Sequence, residues 1–488
     1  MRPLLIAALA SLAFATAVSS VEAGPPPASP SQAAEGSRPA VTVTRDGDNW
    51  TAEYELDRDA PVWAFFVSAL TEETRVAWRP EQWRVVTPGV VLERAGGRDI
   101  LRAADGGSVP RRVGIAFTPR PDNLEAEYEV LVFSDGSVAM PSAMFDVFPL
   151  ASVAEAEAVP LDLNGYPLQS GPSSVTWRDR AGPVLFRGQR VPSATAVQAQ
   201  TYILFGEAAL IESAGLVTVI DPALPAWVGA AIQDFAPRVA EVYARRLGPG
   251  QSDRPTVMVS WNGPTPGRTS MGGSVLPGLI VMKFDGVGVV EPSARVSTTA
   301  RWFIGHESAH FWLGQVVRYE RASDAWIMEG GADLMAIRAL KAIDPAYDAQ
   351  AALQKEVDDC IRLADQPVVE AAERGEHRAN YACGAVFAMV AEGAQRRATG
   401  GDWFDFLKPL IDANRADGVL TRDEWLDTLD AVSGDATLRR DIETLLDEGS
   451  ADPTTVVAGL FQRSGVAHRL EAGRVALSLI EPQPGKGI

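Results

Sequence analysis

The chain has 488 residues, enough for two or three domains each with its own core. Its 46% hydrophobic and 22% charged residues exclude a disordered or fibrous class and point to an ordinary globular protein. The formal net charge of −19 argues against a nucleic-acid partner or an anionic membrane, since both call for basic surface.

Residues 1–23 read as a secretory signal peptide. Arg2 supplies the positive start, residues 4–18 are largely apolar, and Val21-Glu22-Ala23 before Gly24 resembles a small-residue cleavage site. The apolar run is too short to span a bilayer well. No later stretch approaches twenty uninterrupted apolar residues, so no stable membrane insertion is expected after cleavage, an uncleaved anchor being the alternative. A periplasmic or secreted location follows. Residues 24–40, with Pro25-Pro26-Pro27 and Ser29-Pro30-Ser31, have the composition of a flexible linker.

Over residues 41–219 the texture becomes short alternating segments such as Val41-Thr42-Val43-Thr44 and Tyr128-Glu129-Val130-Leu131-Val132-Phe133. Turn signals at Asp46-Gly47, Gly96-Gly97 and Asp135-Gly136 separate them, which predicts an all-β domain. No cluster in this half proposes chemistry; structure or substrate presentation is its expected role.

Helices begin near residue 220. Residues 225–247 carry Trp227, Ile232, Phe235, Val239 and Val242 at helical spacing, with Pro237 as an expected kink. Strands are expected at residues 255–260 and 278–282. A helix bearing His306-Glu307-Ser308-Ala309-His310 follows, with caps expected at Ser297-Thr298-Thr299 and Gly314 near its end. Asp324 opens a second helix holding Glu329. The remainder to about Val466 is helical, with a capping box at Thr421-Arg422-Asp423-Glu424, and residues 401–488 form a helical C-terminal region. Residues 412–418 spell part of a calcium loop. Gly418 falls at its seventh rather than sixth position and Asp423 occupies the twelfth, so a solvated turn is expected there.

The chemistry concentrates in the first of these helices. Residues i and i+4 share a helix face, so His306 and His310 can reach one metal ion. Glu307 projects about 100° round from His306 and addresses water rather than the metal. Glu329, after an eighteen-residue gap, adds an anionic third ligand from a second helix and leaves a fourth tetrahedral position open. The chain has only four histidines, and two are spent here. One Zn2+ per chain is the implied cofactor. Asp333 lies four residues after Glu329 on the same face, placed to accept a hydrogen bond from a ligand histidine's second nitrogen; a solvent-facing aspartate is the plainer alternative. The two cysteines, Cys360 and Cys383, have no C-x-x-C neighbour. In an oxidising compartment an even count points to a disulfide contributing about 3 kcal/mol, two buried free thiols being the alternative.

His306-Glu307-Ser308-Ala309-His310-Phe311-Trp312-Leu313-Gly314 with Trp326-Ile327-Met328-Glu329-Gly330-Gly331-Ala332 resembles the gluzincin zinc metallopeptidases. The gap and the flanking Trp and Gly are similar to the aminopeptidase N-like branch, with the glycyl aminopeptidase branch second. The resemblance spans residues 220–400. It implies an α+β multidomain architecture: the N-terminal β domain, a thermolysin-like, mainly helical catalytic domain and the helical C-terminal region. It also implies zinc on His306, His310 and Glu329, Glu307 as general base and acid, and Asp333 as orienter. The family's Tyr-x-Lys-Gly is similar to Tyr381-Ala382-Cys383-Gly384, which implies Tyr381 as the oxyanion's phenolic donor, with Cys383 in place of lysine; a core aromatic is the alternative for Tyr381.

The same resemblance implies a substrate-binding strand at Gly272-Gly273-Ser274-Val275. There Val275 stands where the aminopeptidases carry the glutamate that binds the substrate's α-amino group. Peptide or protein substrates are therefore expected, with cleavage at free N-termini or internally left open. Two rival readings stand beside this one: a zinc hydrolase of a non-peptide substrate, and a non-catalytic secreted binding protein with a structural zinc site.

Overall fold

In a computed structural model of the chain the described residues are 38–478, apart from 126, 161–162, 164–165, 171, 214–215 and 253. The signal peptide and nearly all of the linker lie outside them.

The N-terminal half is built from strands, as its alternation predicts. Ala40–Asp46 buries Val41 and Val43 on one face and lies inside a six-stranded sheet, antiparallel to Asn49–Glu55 and parallel to Ser174–Asp179. Further sheets of four and five strands pack around a core rich in large rings, including Trp63, Phe65, Trp78, Trp83 and Trp177. One cation sits within it. Arg79 is fully buried, pairs with Asp99 at 2.8 Å and donates through its two terminal nitrogens to the carbonyls of Val67 and Met144, so its charge is balanced while its Nε finds no acceptor.

The second half opens on a five-stranded mixed sheet in the order Leu210–Ser213, Leu216–Ile220, Thr256–Trp261, Leu279–Asp285, Ser270–Leu276. Leu210–Ser213 and Leu216–Ile220, expected within the β domain, belong to this sheet instead. Periodicity reveals a strand but not its partner. Val217 and Val219 are buried here because Leu216–Ile220 runs parallel to Thr256–Trp261. Parallel neighbours need a crossover, which the helix Ala226–Leu247 provides, unbroken through Pro237. Ser270–Leu276 folds back antiparallel on Leu279–Asp285 through a tight turn at Gly278 (φ +68°) and forms the sheet's edge.

Helices cover the sheet. The motif helix Ala294–Ala309 is capped by Ser293, whose hydroxyl accepts from Val296 N at 3.3 Å, and not by residues 297–299. Pro292 stops the helix from extending further back, while Thr299 sits inside it, donating to the Arg295 carbonyl. A short 3₁₀ turn, Ala322–Asp324, leads into the ligand helix Ala325–Ile343, which is buried on nearly every side. Ala349–Leu363 and the long helix Arg378–Thr399 follow, joined by a disulfide between Cys360 and Cys383. Thr421 and Glu424 form the expected capping box at the start of Arg422–Ser433. A hairpin of His468–Glu471 and Arg474–Leu477, which sequence patterning did not anticipate, follows the last helix. Among the described residues no helix is long and apolar enough to cross a membrane.

The ligand helix and the helix Arg378–Thr399 touch backbone to backbone. A Cβ on Gly330 would lie 2.0 Å from the Gly384 carbonyl carbon, and one on Gly384 would lie 2.1 Å from the Trp326 oxygen. Only glycine permits that approach.

Candidate metal centre and cleft

His306 lies in the last turn of the motif helix, and His310 is the residue that ends it, with αR dihedrals still keeping it on the same face. Each ring is oriented through Nδ1: His306 Nδ1 lies 2.9 Å from Asp333 Oδ1, and His310 Nδ1 lies 2.8 Å from the Leu313 carbonyl. Both partners are acceptors, so both Nδ1 atoms carry the proton and both Nε2 atoms present a lone pair. Those Nε2 atoms are 3.1 Å apart, and Glu329 Oε2 lies 3.2 Å from one and 3.4 Å from the other.

Three lone-pair donors converging in a buried place repel one another unless a cation lies between them. Zinc bonds of about 2.0–2.2 Å in tetrahedral geometry put donor atoms roughly 3.3–3.6 Å apart, close to the observed triangle. Glu329 Oε2 is buried with no hydrogen-bond donor to satisfy it. Electrostatics agree. Burial depresses both imidazoles, but the carboxylates of Asp333 and Glu329 outweigh it for His306, and Glu329 outweighs it for His310, raising both. Burial would raise Glu329, yet the two imidazoles hold it well below the usual carboxylate range. The site asks for positive charge, and the donor set fits zinc. Among the described residues His306, His310 and Glu329 are the one group of three or more His, Cys, Asp or Glu side chains able to hold a metal ion.

Around this centre the other expected residues assemble. Asp333 is wholly buried with its Oδ1 on His306 Nδ1, and is not a solvent-facing carboxylate. Burial pushes the Glu307 carboxyl up, opposed by His306 and His310, so it is a stronger base than a solvated glutamate. The Tyr381 ring stacks on His306 with centroids 5.5 Å apart and planes 23° from parallel. Trp302, one turn before His306, packs on the same imidazole at 5.4 Å.

A cavity of about 390 Å³ opens between the β half and the helical half. Gly272, Gly273 and Ser274 of the edge strand line it beside Trp302 and Phe303; Val275 does not, because it packs against the apolar core. The β half contributes Glu127, Tyr128 and Glu129. The Tyr128 hydroxyl is hydrogen-bonded to Ser274, and burial pushes its pKa up to about 12. Burial raises Glu127 to about 7. Lys283 crosses the boundary, donating to Asn123 Oδ1 at 2.6 Å and pairing with Glu129. Sequence reasoning missed these residues. Glu127 and Tyr128 sit in a segment whose alternation marks only a strand, whereas Trp302 was findable from its i, i+4 spacing to His306.

No protein-family model matches the sequence, and no curated protein is similar to it. The aminopeptidase N family protein of Idiomarina loihiensis superposes with a TM-score of 0.56 at 12% identity, covering 86% of this chain and 78% of that one. The chain has the aminopeptidase N fold. Leukotriene A4 hydrolase of Saccharomyces cerevisiae (TM-score 0.48, 12% identity, 85% and 69% covered) is also similar in structure. So is an M1 zinc metallopeptidase of Deinococcus radiodurans bound to a Tyr-Ser-Ala substrate (0.47, 14%, 85% and 94%). In the aminopeptidase N fold the expected architecture holds, a β half in front of a helical zinc-site half.

Proposed function

We propose that this protein is a secreted or periplasmic zinc-dependent metallopeptidase. The observation that carries the reading is the buried triangle of His306, His310 and Glu329 with Glu307 on the same helix as both histidines. A structural zinc site has no use for that base and closes its fourth position, so the binding-protein reading leaves Glu307 without a role. Bound zinc supplies Lewis acidity, making water acidic enough to lose a proton near neutral pH and polarising a carbonyl. Glu307 takes the proton from the attacking water and returns it to the leaving amine. Tyr381, held against His306, is the phenolic donor to the oxyanion.

The edge strand offers its free backbone to an extended peptide, and Gly272 leaves open space there. Val275 brings no carboxyl group to the cleft, but Glu127, raised by burial to about 7, lines it, so the group placed to meet a substrate ammonium comes from the β half. Location rests on the disulfide, which belongs in an oxidising compartment, together with the N-terminal signal pattern.

The test is cleavage of an unbiased peptide library with and without chelator, by wild type and Glu307→Gln. Chelator-sensitive cleavage is expected of wild type, and Glu307→Gln keeps one zinc per chain but loses turnover. A metal-loaded Glu307→Gln variant with full activity refutes the reading; zinc bound without any peptide cleaved favours a non-peptide substrate.

A further inference from the structure

The Tyr381 helix carries, three residues before that tyrosine, an arginine that no part of the zinc chemistry described above uses. Arg378 reaches three carboxylates on two other helices. Its Nη1 lies 3.4 Å from Asp333 Oδ2, its Nη2 2.5 Å from Glu356 Oε2, and its Nε 3.0 Å from Asp359 Oδ2. Asp333 and Glu356 are both buried, and like charges so close repel strongly in a low-dielectric interior. The Asp333 carboxylate is shared, with Oδ1 on His306 and Oδ2 on Arg378. A continuous polar chain therefore runs from Glu356 through Arg378 and Asp333 to a ligand imidazole. Four residues beyond Glu356 and five beyond Arg378, the disulfide ties the same two helices together.

We propose that Arg378 is a positioning residue of the metal centre: it fixes Asp333 against His306, and it holds the helix bearing Tyr381 in register with the ligand helix. The role suits arginine alone. A planar guanidinium presents several donors in a fixed fork and serves three acceptors at once, whereas a lysine ammonium is a compact point charge on a flexible stem. Removing it leaves Asp333 facing Glu356 with no cation between them, and the Asp333 carboxylate turns from His306 to relieve the repulsion. Loss of such an outer partner typically costs about 10–100-fold in metal affinity or activity. This inference rests on the zinc reading.

The experiment measures the rate of zinc loss to a chelator in the full-length protein for wild type, Arg378→Ala, Arg378→Lys, Asp333→Asn and the double variant Arg378→Ala/Asp333→Asn. Zinc loss about tenfold or more faster is expected in both Arg378 variants, without rescue by lysine. The double variant should be no faster than Asp333→Asn alone, because Arg378 acts through that carboxylate. At saturating zinc, kcat falls and KM for a peptide stays. Should Arg378→Ala fail to fold, Arg378→Lys and Asp333→Asn carry the comparison. Zinc loss within twofold of wild type in Arg378→Lys, or effects of Arg378→Ala and Asp333→Asn that multiply, overturns the proposal while leaving the zinc site standing. Wild-type protein that takes up no zinc overturns the reading beneath it.

Discussion

The helix crossing at Gly330 and Gly384 sets the distance between the Glu329 ligand and Tyr381, and Gly384→Ala tests it. The added methyl would sit 2.1 Å from the Trp326 carbonyl oxygen and 3.0 Å from the Gly330 Cα. Both are backbone atoms, so no rotamer change relieves the overlap. Ordinary van der Waals contact of about 3.5 Å then requires the helices to part by more than about 1 Å at the crossing. Overpacking of this kind costs about 1–3 kcal/mol. Tyr381 is one turn away on the displaced helix, and a 1 Å misplacement of a catalytic group is worth about 10² in rate. The prediction is therefore a kcat lower by about 10²-fold at full zinc occupancy, with a thermal midpoint lowered by several degrees. Steady-state kinetics on metal-loaded protein and a calorimetric scan read both. A variant with wild-type kcat and wild-type midpoint would refute the argument that this contact positions the site.

Three further outcomes follow from the geometry. Tyr381→Phe should lose about 10²–10³-fold in kcat while zinc content and KM stay near wild type, if its phenol serves the oxyanion; unchanged kcat would return it to the role of a packed ring. Glu127→Gln should raise KM for peptides with a free N-terminus or a basic side chain and spare N-acetylated neutral ones, which a comparison of matched peptides measures. Equal effects on both classes would remove Glu127 from substrate recognition. In the β half, burial lifts the Asp146 carboxyl to about 7 while its Oδ1 accepts from the Ser173 N–H. The folded state thus binds this proton more tightly than the unfolded chain. Its contribution is complete below about pH 4 and is lost as pH rises through about 7, at most about 4 kcal/mol. Asp146→Asn keeps the Oδ1 acceptor and cannot ionise, so its stability relative to wild type should grow between pH 5 and pH 8 in denaturant titrations. A difference independent of pH would contradict the sign.

The metal centre was legible in the linear chain because an α-helix converts sequence spacing into geometry. His306 and His310 must share a face, Glu307 must point elsewhere, and Asp333 must stand one turn from Glu329, whatever surrounds them. The capping box at Thr421 and Glu424 is local for the same reason, whereas the pairing of Cys360 with Cys383 was suggested by there being only two cysteines. Contacts of long sequence separation carry no such signature. Nothing in the pattern of residues 210–220 says which sheet they join, and nothing around Glu127 or Tyr128 announces that the loop before Leu131–Val132 will overhang Ser274. Val275 shows the limit in the other direction. Its place in the sequence suggested the substrate strand, and the strand is there, but alternation puts Ser274, which lines the cleft with Gly272 and Gly273, and Val275, which meets the core, on opposite faces. Helical periodicity therefore decides the ligands, whereas the packing of two halves of the chain decides what can reach them.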